Sequence, residues 1–235
     1  MSDYCIAGLK VRMDTFGRTA EQAALYACPV CDTPDILIQS EPERVKAAYP
    51  RLSDEECEYL ASGASFYRQL LDFDGMMLHS SAVVMDGRAY LFTADSGTGK
   101  STHTRLWQQA FGSDRAVILN DDKPALRRVE GVWYAYGTPW SGKAPTSTNT
   151  CAPVAGIAIL ERAPENRIRP VGGLEAVQAL LRQVNKPNDP RLRGRVLELL
   201  DDLLTRVPIW KLQCNMDPEA ARIAHAAMSD PAAHK

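Results

Sequence analysis

The chain has no apolar run approaching the roughly 18 residues of a membrane span. Its opening residues, MSDYCIAGLK, lack the charged-then-apolar layout of a signal peptide. A cytoplasmic protein with no membrane partner is therefore expected. An excess of one charge is missing too: 27 Lys and Arg stand against 29 Asp and Glu, a formal net charge of −2. No whole-chain field draws it to nucleic acid, so any phosphate binding has to be local. The six cysteines, at 5, 28, 31, 57, 151 and 214, lack the dense spacing of a secreted disulfide scaffold, and reduced thiols are expected. Cys28-Pro-Val-Cys31 has no second pair to complete a zinc site and reads as two thiols flanking a proline turn. No internal repeat and no low-complexity segment is visible.

What is present is a chain of 235 residues, 45% of them hydrophobic, enough for one main core. CIAGLKVRM and DILIQS read as strands, and Ser53 to Leu71 as a helix with an acidic first turn and inward positions at Leu60, Phe66, Leu70 and Leu71. His79–Val84 and Ala89–Thr93 are apolar runs joined through Asp86-Gly87, a hairpin signal. A helix is expected from Ser101 to about Phe111, closed by Gly112, then a buried strand AVILN running into two aspartates. ALRRVEGVWYAYG reads as a second hairpin, residues 137–153 as loop, and VAGIAILE as strand. Two helical patterns follow Leu174, then the apolar run Ile209–Cys214 and a last helix opened by Asp217-Pro218-Glu219. The stripe Leu197, Leu200, Leu203 and Leu204 serves either a core or an oligomer contact. Strands precede helices more than they alternate with them, so a mixed α/β fold with a partly antiparallel sheet is expected. Residues 1–72 form an N-terminal strand and helix unit packed on a core of residues 73–235.

The stretch LFTADSGTGKST holds the chemistry. Glycines let a backbone curl its N–H groups inward, and the helix that follows offers its positive end to phosphate. Ser96, Gly97, Thr98, Gly99, Lys100, Ser101 and Thr102 are the candidate nucleotide contacts, with Lys100 for the β and γ phosphates and Ser101 for Mg²⁺. The strict pattern asks for Gly where Ala94 stands, and a positive φ there would strain the alanine by about 1 kcal/mol. Asp121 and Asp122 are anionic ligands at a strand end facing such a loop. Adjacent strand residues point to opposite faces, so the chain must bend at Asn120 or Asp121 if both carboxylates are to reach one site.

The joint order of His79, hairpin, S-G-x-G-K-S loop and Asp121-Asp122 resembles the catalytic core shared by HPr kinase/phosphorylases and ATP-dependent phosphoenolpyruvate carboxykinases. The resemblance covers about His79 to Asp122. It implies a mixed sheet with an inserted P-loop and a catalytic or metal role for His79. YGTPWSGK resembles a segment of HPr-kinase-like proteins, among which are kinases acting on peptides. The length and the dedicated substrate arginines and lysines of the carboxykinases have no counterpart here, nor do the separate N-terminal domain and downstream signature of the HPr kinases.

The reading that follows is an ATP- and Mg²⁺-dependent kinase, with Mn²⁺ a possible substitute, acting on a Ser of a protein or peptide. Ser101 and Asp122 hold the metal and Asp121 takes the hydroxyl proton, their roles exchangeable. His79 assists or binds metal, and Lys143 is an added cation over the γ phosphate. Trp140 either shapes the acceptor pocket or packs. His103, Arg105 and Asn149 are weaker candidates, and Arg105, Lys143 and Arg162 are the cations that a small anionic substrate would require. The competing readings are a nucleotide-binding sensor without catalysis and a small-molecule or carboxykinase-like enzyme; a homo-oligomer is compatible with each.

Overall fold

The computed structural model describes residues 1–30, 32–142 and 146–230. β1 (Ser2–Ile6) and β2 (Leu9–Met13) form a hairpin turning on Ala7 (φ 54°) and Gly8 (φ 73°). The single strand expected from Cys5 to Met13 is therefore two. Positive φ at both central residues makes the tight turn, and an alanine at the first of them hides it from sequence. α1 (Gly17–Ala23), a 3₁₀ turn (Ala24–Tyr26) and β3 (Ile36–Ile38), parallel to β2, complete a three-stranded layer. α2 (Pro42–Ala48) leads to α3 (Asp54–Gln69), which opens on a reciprocal cap between Ser53 and Glu56. α3 buries Tyr59, Phe66 and Tyr67, whereas Leu60, expected inside, lies on its exposed side.

A 3₁₀ turn (Leu70–Phe73) then enters β4 (Gly75–Met77), followed by β5 (Ser80–Met85), β6 (Arg88–Thr93), α4 (Lys100–Phe111) and β7 (Val117–Asn120). β8 (Ala125–Val129), β9 (Val132–Tyr136), β10 (Cys151–Arg162) and β11 (Arg167–Val171) come next. α5 (Gly173–Leu181), α6 (Pro190–Arg206), β12 (Ile209–Cys214) and α7 (Glu219–Ser229) close the chain. The main sheet runs β4-β8-β9-β10-β6-β5-β7, with β12 beside β10 and β11 beside β12. β10 is parallel to β6 and β12, and the other pairs are antiparallel. The fold is mixed α/β. β10 starts three residues earlier than its apolar pattern, because Cys151–Pro153 pair with β9 before the strand crosses to its parallel partners.

Successive residues of β6 serve opposite faces, as strand geometry requires. Tyr90 and Phe92 pack with Trp107 of α4 and the alanines of α7, and Ala89 and Leu91 pack with α5 and α6. Leu200 and Leu203 belong to that second core with Leu204 against it, while Leu197 is exposed, so the leucine stripe is mainly core. A third cluster joins the N-terminal layer and α3 to Ala125 and Trp140. Among the described residues no helix is long and apolar enough to cross a membrane.

Candidate active site

β6 ends at Thr93 and α4 begins at Lys100; the loop between them passes through Gly97 (φ 80°) and Gly99 (φ 117°). A Cβ at Gly97 would meet nothing within 4 Å, so it is backbone conformation rather than space that asks for glycine there. Ala94 is not among the positive-φ residues of the described chain, and the strain expected of it does not arise. Arg162 donates to the carbonyls of Thr98, at 3.0 Å, and of Gly97, holding the loop from its outer side. The backbone N–H groups of Lys100, Ser101 and Thr102 open α4 and have no acceptor within the helix. Lys100 is 8% exposed and donates to Ala94 O at 3.1 Å. Its burial lowers its pKa, against the pull of Asp122, Asp95 and Asp121.

The bend at the end of β7 comes from Asn120. Its Oδ1 accepts the N–H groups of Asp122 (2.9 Å) and Lys123 (2.7 Å), and its Nδ2 donates to Thr138 O (3.0 Å). This turn brings two adjacent carboxylates to one cavity. Asp121 accepts from Ser81 Oγ at 3.0 Å. Burial raises its pKa, opposed by hydrogen bonds from Ser81 and Ser101 and by Arg105. Asp122 takes His79 Nε2 on Oδ1 at 3.1 Å and Lys123 Nζ on Oδ2 at 3.0 Å. Burial pushes Asp122 up, but the His79 hydrogen bond and the Lys123 charge outweigh it and hold the carboxyl at about 2. His79 Nδ1 faces Gln183 Oε1 at 3.2 Å, and Gln183 Nε2 reaches Asp95 Oδ1 at 3.4 Å, so a polar chain links Asp122 to the base of the loop.

His79, Lys100, Ser101, Asp121 and Asp122 line a cavity of about 550 Å³ together with Ser96, Thr102, Arg105 and Gly142. Two further cavities flank it. One, of about 570 Å³, is walled by Thr98, Thr102, His103, Leu106, Leu160 and Met216. His103 is 2% exposed and accepts from Trp107 Nε1 on Nε2 at 3.2 Å, while its Nδ1 is buried without a partner. Burial lowers its pKa to about 3, so near neutral pH the ring is uncharged and carries its proton on Nδ1. The other cavity, of about 490 Å³, is walled by Lys123, Arg182, Gln183, Asn185 and Lys186, and it shares His79 and Asp122 with the central one.

His79, Ser96, Gly97, Gly99, Lys100, Ser101, Thr102, Asp121 and Asp122 thus line one cavity, and Thr98 lies on the flanking one. Lys143 lies outside the described residues, as does Cys31. Trp140 is fully buried, stacked on Phe66 at 4.9 Å with Nε1 on Ser62 Oγ at 3.2 Å, so it packs rather than shaping a pocket. Beside it the N–H of Gly142 donates to Tyr59 Oη at 3.0 Å, and the backbone there (φ 84°) passes so close to Asp122 that a Cβ would lie 2.8 Å from its Cβ. Asn149 is tied to Leu25 O at 3.2 Å, outside the cavity. Arg162 braces the loop from the wall of the 570 Å³ cavity and does not join Arg105 in the central one. The bend expected at Asn120 or Asp121 is made by the Asn120 side chain, whereas Ser81 and Gln183 join the site with no expectation from the sequence. Asn-Asp-Asp is a legible Asx-turn signal, whereas Gln183 meets His79 across 104 positions with no local signature.

No protein-family profile matches the chain, and no curated protein does. Among solved structures, the Hpr(Ser) kinase/phosphatase from Coxiella burnetii superposes on 63% of this chain and 91% of its own, at 11% identity and a TM-score of 0.37. A likeness that distant assigns no residue a role; the geometry has to do so.

Proposed function

We propose that this protein is an ATP- and Mg²⁺-dependent kinase that transfers the γ-phosphoryl group to a hydroxyl, a Ser of a protein or peptide. One observation carries the reading: a glycine-bent loop, Lys100, Ser101 and two carboxylates meet in one cavity whose His79–Asp122 wall also bounds a second cavity. Phosphoryl transfer depends on positioning and charge neutralisation more than on covalent chemistry, and such an arrangement suits both.

The phosphates lie along the loop and the first turn of α4, with Lys100 at the β and γ groups. The nucleoside extends into the 570 Å³ cavity, between Thr102, Leu106, Leu160 and Met216. Ser101 and Asp121, hard oxygen donors that share a hydrogen bond, are the residues that would hold Mg²⁺, and Mn²⁺ suits the same donors. When bound, the ion neutralises charge on the β and γ oxygens. The geometry favours exchanging the roles first assigned to the aspartates, because Asp121 faces Ser101 and Asp122 stands on the shared wall. Asp122, oriented by His79, accepts the hydroxyl proton as the new O–P bond forms and the bond to ADP breaks. So acidic a carboxylate is a weak base, which suffices in a loose transition state where the nucleophile needs orientation more than deprotonation.

Incubation of the protein with γ-labelled ATP and Mg²⁺ in dialysed extract of its own host tests this. One labelled macromolecular band with the wild type, absent with Lys100→Ala, is expected. Binding of nucleotide without any label transfer would favour the sensor reading.

A further inference from the structure

The 490 Å³ cavity beside His79 carries an unbalanced charge. Lys123, Arg182 and Lys186 line it against a single carboxylate, Asp122, which is already engaged by His79 and Lys123. Among the described residues Arg182 and Lys186 make no ion pair, whereas Arg115, Arg128, Arg169 and Arg195 each do. In a chain of net charge −2 this patch runs against the overall balance. The segment bearing the two cations is also fixed in place. His79 N donates to Gln183 O at 2.8 Å, Leu78 and Val184 form an antiparallel bridge, and Gln183 and Val184 are buried. Arg182, Asn185 and Lys186 therefore project from an anchored edge into solvent directly beside the residue that faces the acceptor.

We propose that this cavity docks the acceptor and selects an acidic peptide, one whose hydroxyl residue is flanked by Asp or Glu. This rests on the kinase reading and names its substrate class. An enclosed pocket would suit a small anion, because small-ligand sites bury most of their ligand. Here the outer cations are exposed along a run of chain, which suits an extended peptide whose carboxylates pair with them one after another while its hydroxyl reaches Asp122.

The test uses the full chain with Mg²⁺ and a non-hydrolysable ATP analogue, and fluorescent peptides in which a single Ser is flanked by Asp/Glu, by Ala or by Lys. Anisotropy titration is expected to show the acidic peptide binding at least about ten-fold tighter than the Lys-flanked one. The double variant Arg182→Glu/Lys186→Glu, exposed at both positions and checked for an unchanged Tm, should abolish or reverse that preference while holding the analogue within about two-fold of wild type. Equal binding of the three peptides, no binding of any, or a preference that survives the double variant overturns the proposal. Succinate displacing the acidic peptide at concentrations below the peptide's own Kd would overturn it in favour of a small-anion site. Failure of the analogue to bind at all would strike the kinase reading instead, and the peptide preference would still be measured.

Discussion

At Asn120 a single amide settles where two carboxylates go. It accepts two backbone N–H groups and donates to the Thr138 carbonyl, all in a residue with no exposed surface. Asn120→Ala leaves those groups without partners, so unfolding free energy should fall by about 1–3 kcal/mol in chemical denaturation. Because Asp121 and Asp122 hang from this turn, phosphoryl transfer should be lost together with that stability. Asp122→Asn tests a different property of the same turn. The folded Asp122 sits near 2 against an ordinary 3.8, so its ionised form contributes stability above 3.8 that disappears as the pH falls through 2. Wild type minus Asp122→Asn stability should thus be largest at neutral pH and shrink between about 4 and 2, as read from denaturation midpoints across that range. A difference independent of pH would deny the His79 and Lys123 pairing its role.

Among the elements, the hairpin, the loop and α4 were legible because turn glycines and helical spacing are local signals. Asp86-Gly87 does turn between β5 and β6, and Gly112 does close α4. The β1–β2 turn was not, since Ala7 adopts a positive φ that its side chain does not advertise. β4, β11, α1 and α2 are short and gain their form from neighbours rather than from pattern. The site divides in the same way. Its loop and aspartates lie in two short stretches, while Arg162, Gln183 and Lys186 arrive from strands and turns far along the chain. Arg162 is the clearest case, a cation on the wall of the 570 Å³ cavity that holds the loop's carbonyls. Arg162→Ala should weaken ATP binding by about ten-fold, the equivalent of one charge-assisted hydrogen bond, with little effect on Tm. Calorimetric titration reads the first and a thermal melt the second.

For the whole molecule, the N-terminal layer and the central cavity share structure. The Arg18 guanidinium lies over the ring of Tyr59 on α3 at 4.4 Å; the Tyr59 hydroxyl oxygen accepts the Gly142 N–H, and the Tyr67 hydroxyl donates to Lys123 O. Both contacts end next to Asp122. Tyr59→Phe removes the link to Gly142 and should cost about 1 kcal/mol of stability. It should also lower kcat more than it raises the KM for ATP, because the backbone it frees at Gly142 packs against Asp122. Steady-state kinetics separate the two parameters.

The measurement that bears most directly on the whole account is titration of ATP into the protein with and without Mg²⁺, in wild type, Lys100→Ala and Asp122→Asn. Mg²⁺-dependent binding is expected in the wild type, with a loss of at least about ten-fold in Lys100→Ala and near-normal binding in Asp122→Asn, which then fails to transfer phosphate. Binding indifferent to both Mg²⁺ and Lys100 would contradict that expectation.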